Sequence, residues 1–312
     1  MHTGRIVGEK TGYKVIDCEG CGFKHLDPLP TETDMDKFYS EKYYSEGKEQ
    51  GRSAMKSVME GERREKHVQW LRETLYKDNL YFLEQYTAAV SAPKRILDVG
   101  CGAGDSLKYM EDAGWVAFGI EPSKMAFDLA KSSGLKNVFN MTLREFAGDN
   151  PHLRGYFHVV TLYGTLHHVT NPQAVLEMCK DFLMPGGLLL TIDPNEFSTF
   201  QITAQRALSK EMWWIFPPEH VNYFDFDSYE RLIKKIGFEP ILKTTSFPME
   251  LFLLMGDEYV GNDELGSQCH QKRIQFELTV ADEMRREIYR SIAQLGIGRD
   301  CVMYARLPEK PE

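Results

Sequence analysis

Arg95-Ile96-Leu97-Asp98-Val99-Gly100-Cys101-Gly102-Ala103-Gly104-Asp105 reads as a buried strand running without a spacer into a glycine-rich turn and the start of a helix. Ile96, Leu97 and Val99 suit a strand, while the glycines permit positive φ and let backbone approach a ligand with no Cβ in the way. The free N–H groups of the following helix face the same space. Three more apolar runs follow the same plan downstream: Val116-Ala117-Phe118-Gly119-Ile120, Val159-Val160-Thr161-Leu162 and Leu188-Leu189-Leu190-Thr191-Ile192. Each leads into a loop and a helix-like segment, and such alternation specifies a parallel sheet covered by helices, an α/β fold.

Outward from this core the chain divides into three expected parts. Residues 1–88 read as an extension of short strands and turns, then helix from about 54, with a break near Asp78-Asn79. Residues 89–248 hold the sheet, with the aromatic stretch at about 196–222 (Phe197, Phe200, Trp213, Trp214, Phe216) expected to act as a lid over an acceptor pocket. The helix Phe226 to Ile236 ends at Gly237, a suitable C-terminal cap, and strands follow at about 238–246 and 301–307. Residues 249–312 form a helical insertion and a final strand. The second half of the insertion, Gln271 to Leu295, reads as one long helix that packs on the core, caps the site or makes a homodimer seam.

The composition narrows the classes of function. At 312 residues the chain can bury a large core without disulfide staples. Six cysteines are too few for a disulfide framework, so a reducing, cytoplasmic setting is expected, and the first residues lack the apolar core of a secretory signal. No apolar run reaches membrane-spanning length. A net charge of −9 would repel a phosphate backbone, which argues against a nucleic-acid substrate.

The spacing of the glycine turn then selects a cofactor class. In a dinucleotide fingerprint the third glycine would fall at Asp105, but here Gly104 comes one position early, which argues against a nicotinamide cofactor. A turn preceded by an acid, Asp98, suits a ligand with an α-amino acid end, whose ammonium group a carboxylate can hold. A second acid, Glu121, ends the next strand seventeen residues beyond Gly104, where α/β geometry would bring it to a ribose diol. Pro122 and Ser123 beside it also read as an ordinary helix start.

These segments resemble the class I S-adenosylmethionine-dependent methyltransferases over roughly residues 94–246. The resemblance implies a Rossmann-like, seven-stranded, mostly parallel sheet with helices on both faces, S-adenosylmethionine as cofactor and S-adenosylhomocysteine as product. It assigns Asp98, Gly100, Cys101, Gly102 and Gly104 to the methionine end, Glu121 with Pro122 to the ribose, and the backbone at Thr142 and Leu143 to the adenine edge. Tyr163 and Gly164 would lie below the transferred methyl. Two departures are visible: His158 stands where an acid is common, and Asn140-Met141-Thr142 lacks the acid often found near adenine.

A narrower resemblance, to methyltransferases of nucleotide-linked or glycan-bound sugars, rests on Glu219-His220-Val221-Asn222-Tyr223-Phe224 and on His168. It implies His220 as general base, assisted by Glu219, with His168 turned inward and His167 away. Neutral imidazole is well matched to take a proton from a hydroxyl or carbon acid. Structural hydrogen bonds to backbone are the plainer reading of the same residues. Tyr39, Tyr43 and Tyr44 resemble the aromatic motif that closes over the cofactor in those relatives.

Sugar O- or C-methylation is therefore the first functional expectation. A quinone or lipid-like small-molecule acceptor is the alternative, suited by Trp213, Trp214 and Phe216, and a non-catalytic cofactor-binding module is a third. Cys18-Glu19-Gly20-Cys21-Gly22 looks like half a zinc ribbon whose other half is missing. His2 and His25 are the only nearby substitutes, so no metal is expected.

Overall fold

The computed structural model describes residues 2–38, 61–90 and 93–309. The chain opens with β1 (Gly4–Lys10), β2 (Tyr13–Cys18), β3 (Lys24–Asp27) and α1 (Glu32–Lys37). After residue 60 come α2 (Gly61–Glu73) and α3 (Leu75–Tyr86), and then the alternating region: β4 (Arg95–Val99), α4 (Asp105–Asp112), β5 (Val116–Ile120), α5 (Lys124–Ser132), β6 (Asn137–Phe139), α6 (Leu143–Asp149) and β7 (Phe157–Tyr163). The remainder is α7 (Pro172–Phe182), β8 (Leu183–Pro194), α8 (Thr199–Leu208), β9 (Asn222–Tyr223), α9 (Phe226–Ile236), β10 (Glu239–Thr244), α10 (Glu250–Leu254), α11 (Asp263–Thr279), α12 (Asp282–Gln294) and β11 (Asp300–Arg306).

Seven strands form one sheet in the order β10-β11-β8-β7-β4-β5-β6, with β4 parallel to both β5 and β7, and β5 parallel to β6. Every residue of β7 except Tyr163 is buried, as expected of a strand covered on both faces. The second sheet has four strands in the order β1-β2-β3-β9. The chain separates into two compact units that interleave along the sequence. One comprises residues 1–31, 164–173 and 191–305; the other comprises 32–163, 174–190 and 306–312. The three consecutive parts drawn from the sequence do not coincide with these units.

The glycine turn has little steric slack. Gly100, Gly102 and Gly104 all have positive φ, and a Cβ built on Gly104 would stand 2.5 Å from Leu135 Cδ1 and 3.1 Å from Ala130 Cβ. Left-handed backbone alone costs an L-residue ~1–2 kcal/mol. Gly104→Ala is therefore expected to destabilise the chain by ~1–3 kcal/mol. The loss would be read as a lower urea midpoint at unchanged slope; an unmoved midpoint would mean that the turn relaxes freely.

Three expectations need correction. The break in the N-terminal helix falls at Thr74, not Asp78-Asn79, because the Thr74 hydroxyl donates to the Trp70 carbonyl at 2.7 Å and its backbone leaves the helical region. The long helix expected from Gln271 to Leu295 is two helices, separated where Val280 and Ala281 turn extended before the acidic first turn of α12.

The aromatic stretch at 196–222 is not a detached lid. Trp214 and Ile215 are buried against Val15, Leu26 and Tyr223, with Phe197, Met212 and Trp213 packed around them. The four-stranded sheet has an apolar face that must be covered, and this stretch covers it. Phe216 alone of the large aromatics there is exposed.

Candidate functional site

The unit containing β4, β5 and β7 places its acids at the carboxyl ends of strands, where open α/β sheets bind ligands. Asp98, in β4, is 1% exposed, and its Oδ1 accepts a hydrogen bond from the Thr161 hydroxyl at 2.8 Å. Burial pushes its carboxyl up to about 7, a rise that the Thr161 bond offsets only partly. Burying a carboxylate is expensive unless a cation compensates it, and among the described residues no cation pairs with Asp98. Glu121 follows β5 and bridges two backbone groups. Its Oε2 accepts the Gly102 N–H at 2.8 Å and its Oε1 the Ser123 N–H at 2.7 Å, which ties the glycine turn to the start of α5. A carboxylate accepts about four hydrogen bonds, so acceptor capacity remains for a ligand hydroxyl.

Around these acids the turn is braced by Gly100 and Cys101 N–H groups on the Ile120 carbonyl, at 2.8 and 3.0 Å. Tyr163 closes β7, with its hydroxyl receiving the Asn79 amide at 3.1 Å. Asn140, in place of an acid, donates to the carbonyls of Glu121 and Pro122 at 2.9 and 3.0 Å. It holds the strand end instead of offering a carboxylate. His158 accepts the Arg95 N–H on Nδ1 at 3.0 Å, which needs a neutral ring, and burial lowers its pKa accordingly. Thr142 caps α6, with N–H and hydroxyl both engaged by Glu145. Leu143 is buried at the first turn of that helix.

The other unit gathers three histidines, His167, His168 and His220, with one ring nitrogen of each lying within 4.8 Å of the others. Each is oriented through Nδ1. His167 meets Asp193 Oδ1 at 2.6 Å, His168 the Glu219 carbonyl at 2.8 Å, and His220 Glu196 Oε1 at 3.0 Å. Asp193 also accepts the His167 N–H and the Tyr229 hydroxyl. Burial holds the His167 pKa well below its usual value, helped by the neighbouring His220. Burial pulls His220 down as well, but the charge and hydrogen bond of Glu196, with Glu219 and Asp193 beyond, more than offset it and leave the ring more basic than usual. The cluster thus separates one ring that stays neutral from one that accepts a proton readily. Glu196 is 3% exposed, and its Oε2 has no partner among the described residues.

Residues 68–243 match a family described as a methyltransferase domain. The chain belongs to the methyltransferase domain family. Among curated relatives, a ubiquinone biosynthesis O-methyltransferase of Bordetella bronchiseptica is 34% identical over 133 residues, covering 40% of this chain and 54% of its own. One of Shewanella sp. is 31% identical over 120 residues, covering 37% and 50%. This methyltransferase chain spans about half the length of the curated relatives it matches. Of solved structures, a SAM-dependent methyltransferase from Archaeoglobus fulgidus aligns with 74% of this chain and 94% of its own at 17% identity and a TM-score of 0.47.

The residues present fit S-adenosylmethionine, the cofactor expected from the sequence. The buried carboxylate of Asp98, with no cation paired to it among the described residues, suits an ammonium group, the positive-φ turn offers backbone without side chains, and Glu121 retains acceptor capacity for a diol. No helix among the described residues of the methyltransferase is long and apolar enough to cross a membrane.

The methyltransferase sequence placed Asp98, Gly100, Cys101, Gly102, Gly104 and Glu121 together, and in the structure these residues converge on one turn. Tyr44, with Tyr39 and Tyr43, lies outside the described residues. Gly164, with φ of 64°, belongs to the unit that holds the histidines and donates its N–H to the Ile192 carbonyl within that unit. His167, expected to point away, is 5% exposed and sits inside the cluster. The carboxylate hydrogen-bonded to the His220 ring is that of Glu196, and the Glu219 charge, expected to assist His220, adds to its basicity. Sequence reasoning missed Asp193, Glu196 and Tyr229. The available signal was Asp193-Pro194-Asn195-Glu196, two acids where a central strand ends.

Proposed function

We propose that this chain transfers the methyl group of S-adenosylmethionine to a hydroxyl oxygen of a small phenol or quinol acceptor, with His220 as the general base. The observation that carries the reading is the His220 ring, more basic than usual and oriented by the buried Glu196 carboxylate. The cofactor supplies an electrophilic methyl on a sulfonium, so a poor nucleophile must lose its proton to attack it. A phenol titrates near ~10, far above neutral pH, and a positioned base contributes ~10²–10⁴-fold to such a step. His220 takes the acceptor proton on its ring nitrogen remote from Glu196, and the carboxylate stabilises the imidazolium that forms. His167, held neutral by burial and tied to Asp193, keeps the neighbouring position free of a second positive charge.

The choice of acceptor rests on the relatives, which are named for ubiquinone biosynthesis and not for sugars. The sugar acceptor suggested by the Glu219-His220 motif has no comparable support. Trp214 lends the quinol reading nothing, because it is part of the core of the small sheet.

Isotopically labelled S-adenosylmethionine offered with a panel of catechols, quinols and nucleotide-sugars tests this directly. Label in a phenolic oxygen is expected. Label in a sugar would overturn the acceptor, and no label anywhere despite bound cofactor would overturn the activity.

A further inference from the structure

We infer that the N-terminal sheet carries a structural zinc site whose four ligands are His2, Cys18, Cys21 and His25. The turn Cys18-Glu19-Gly20-Cys21 supplies two sulfurs, and the antiparallel pairing of β1 with β2 and of β2 with β3 brings one histidine from either side. One ligand atom from each residue lies within 4.8 Å of every other. Zinc bound at ~2.3 Å to sulfur and ~2.0–2.1 Å to nitrogen defines a tetrahedron with edges of ~3.3–3.8 Å. His2 Nδ1 stands 3.7 Å from Cys18 Sγ and 3.3 Å from Cys21 Sγ, so two of those edges are already met.

His25 carries the independent evidence. It is 1% exposed and donates Nδ1–H to the Leu26 carbonyl at 2.8 Å, while its Nε2 is buried with no hydrogen-bond partner among the described residues. An orphaned imidazole nitrogen is costly in a protein core. A backbone carbonyl on one ring nitrogen with the other left open is the arrangement that fixes the tautomer of metal-bound histidine.

Two histidines and two cysteines close all four positions of the tetrahedron, so the site is structural and leaves no place for a substrate. Its mechanical consequence is local. His25 is in register with Asn222 of β9, and Leu26 N–H bonds the Val221 carbonyl at 2.9 Å. Zinc would pin β3, and β3 carries the strand that begins two residues after His220. The inference does not depend on the acceptor or on the proposed base.

The test is metal analysis of the full chain purified without an affinity tag and reconstituted with zinc. About one zinc per chain is expected, falling to background in Cys18→Ser/Cys21→Ser, and chelation of the wild-type protein should lower its melting temperature. Cobalt substituted for zinc should give a thiolate charge-transfer band that the double variant lacks; because it is read on folded wild-type protein, this measurement holds even where the variant folds poorly. The inference is overturned by no zinc after reconstitution, by zinc retained in the double variant, or by a Cys18–Cys21 disulfide in the metal-free native protein.

Discussion

Replacing Asp98 by Ala is expected to weaken S-adenosylhomocysteine binding by roughly 10- to 100-fold in calorimetry. The carboxylate is the only buried charge in β4, and a hydrogen bond to a charged group is worth ~1.5–3 kcal/mol, or about tenfold in affinity per 1.4 kcal/mol. The same residue predicts a pH dependence. Burial holds Asp98 at about 7 in the free protein, so below that pH the carboxyl is mostly protonated and must release its proton to meet an ammonium group. Affinity should therefore fall as pH drops below about 7, and calorimetry at pH 6 should show proton release on binding in buffers of different ionisation enthalpy. Asp98→Asn, which cannot ionise, should bind weakly and with no such dependence. Unchanged affinity in Asp98→Ala would mean that the methionine end is held elsewhere.

The second large effect concerns turnover rather than binding. His220→Ala should reduce kcat by ~10²–10⁴-fold with S-adenosylhomocysteine affinity intact, since its side chain belongs to the unit that lacks the glycine turn. Glu196→Gln separates a positioned base from a structural histidine. A base must be neutral to act, so activity rises with pH through the pKa of His220, which the carboxylate raises. Removing that charge lowers the pKa. The acid limb of the profile should then move to lower pH, while the plateau falls because the imidazolium is no longer stabilised. A Glu196→Gln enzyme with reduced activity but an unshifted acid limb would assign Glu196 a packing role and take the proton away from His220.

Much of the glycine turn and its strand and helix could be read directly because their determinants are local. Strand, glycine turn and helix start are contiguous from Arg95 to Asp105, and the second acid follows the next strand at a spacing that α/β geometry dictates. The same locality made the C-terminal cap at Gly237 legible, down to its positive φ. Where two local preferences compete, periodicity alone does not place the helix ends. Thr74 and Val280-Ala281 break helices that apolar spacing alone would continue, because a side-chain hydrogen bond to the backbone at the first and extended dihedrals at the second override periodicity.

By itself, then, the sequence determined the α/β class, the mostly parallel sheet, the glycine turn at the end of its strand and the positions of the two acids beside it. Only the tertiary structure decided what the polar side chains do for one another. Glu196 reaches His220 across twenty-four positions, Asp193 reaches Tyr229 across thirty-six, and His2 meets Cys18 and Cys21 across sixteen and nineteen. It also decided that Trp214 fills a core instead of closing a pocket. The physical reason is that helix and strand periods are written within a few residues. The partner of a buried charge, by contrast, is whatever group the packed chain brings within ~3 Å, and no spacing along the sequence encodes that distance.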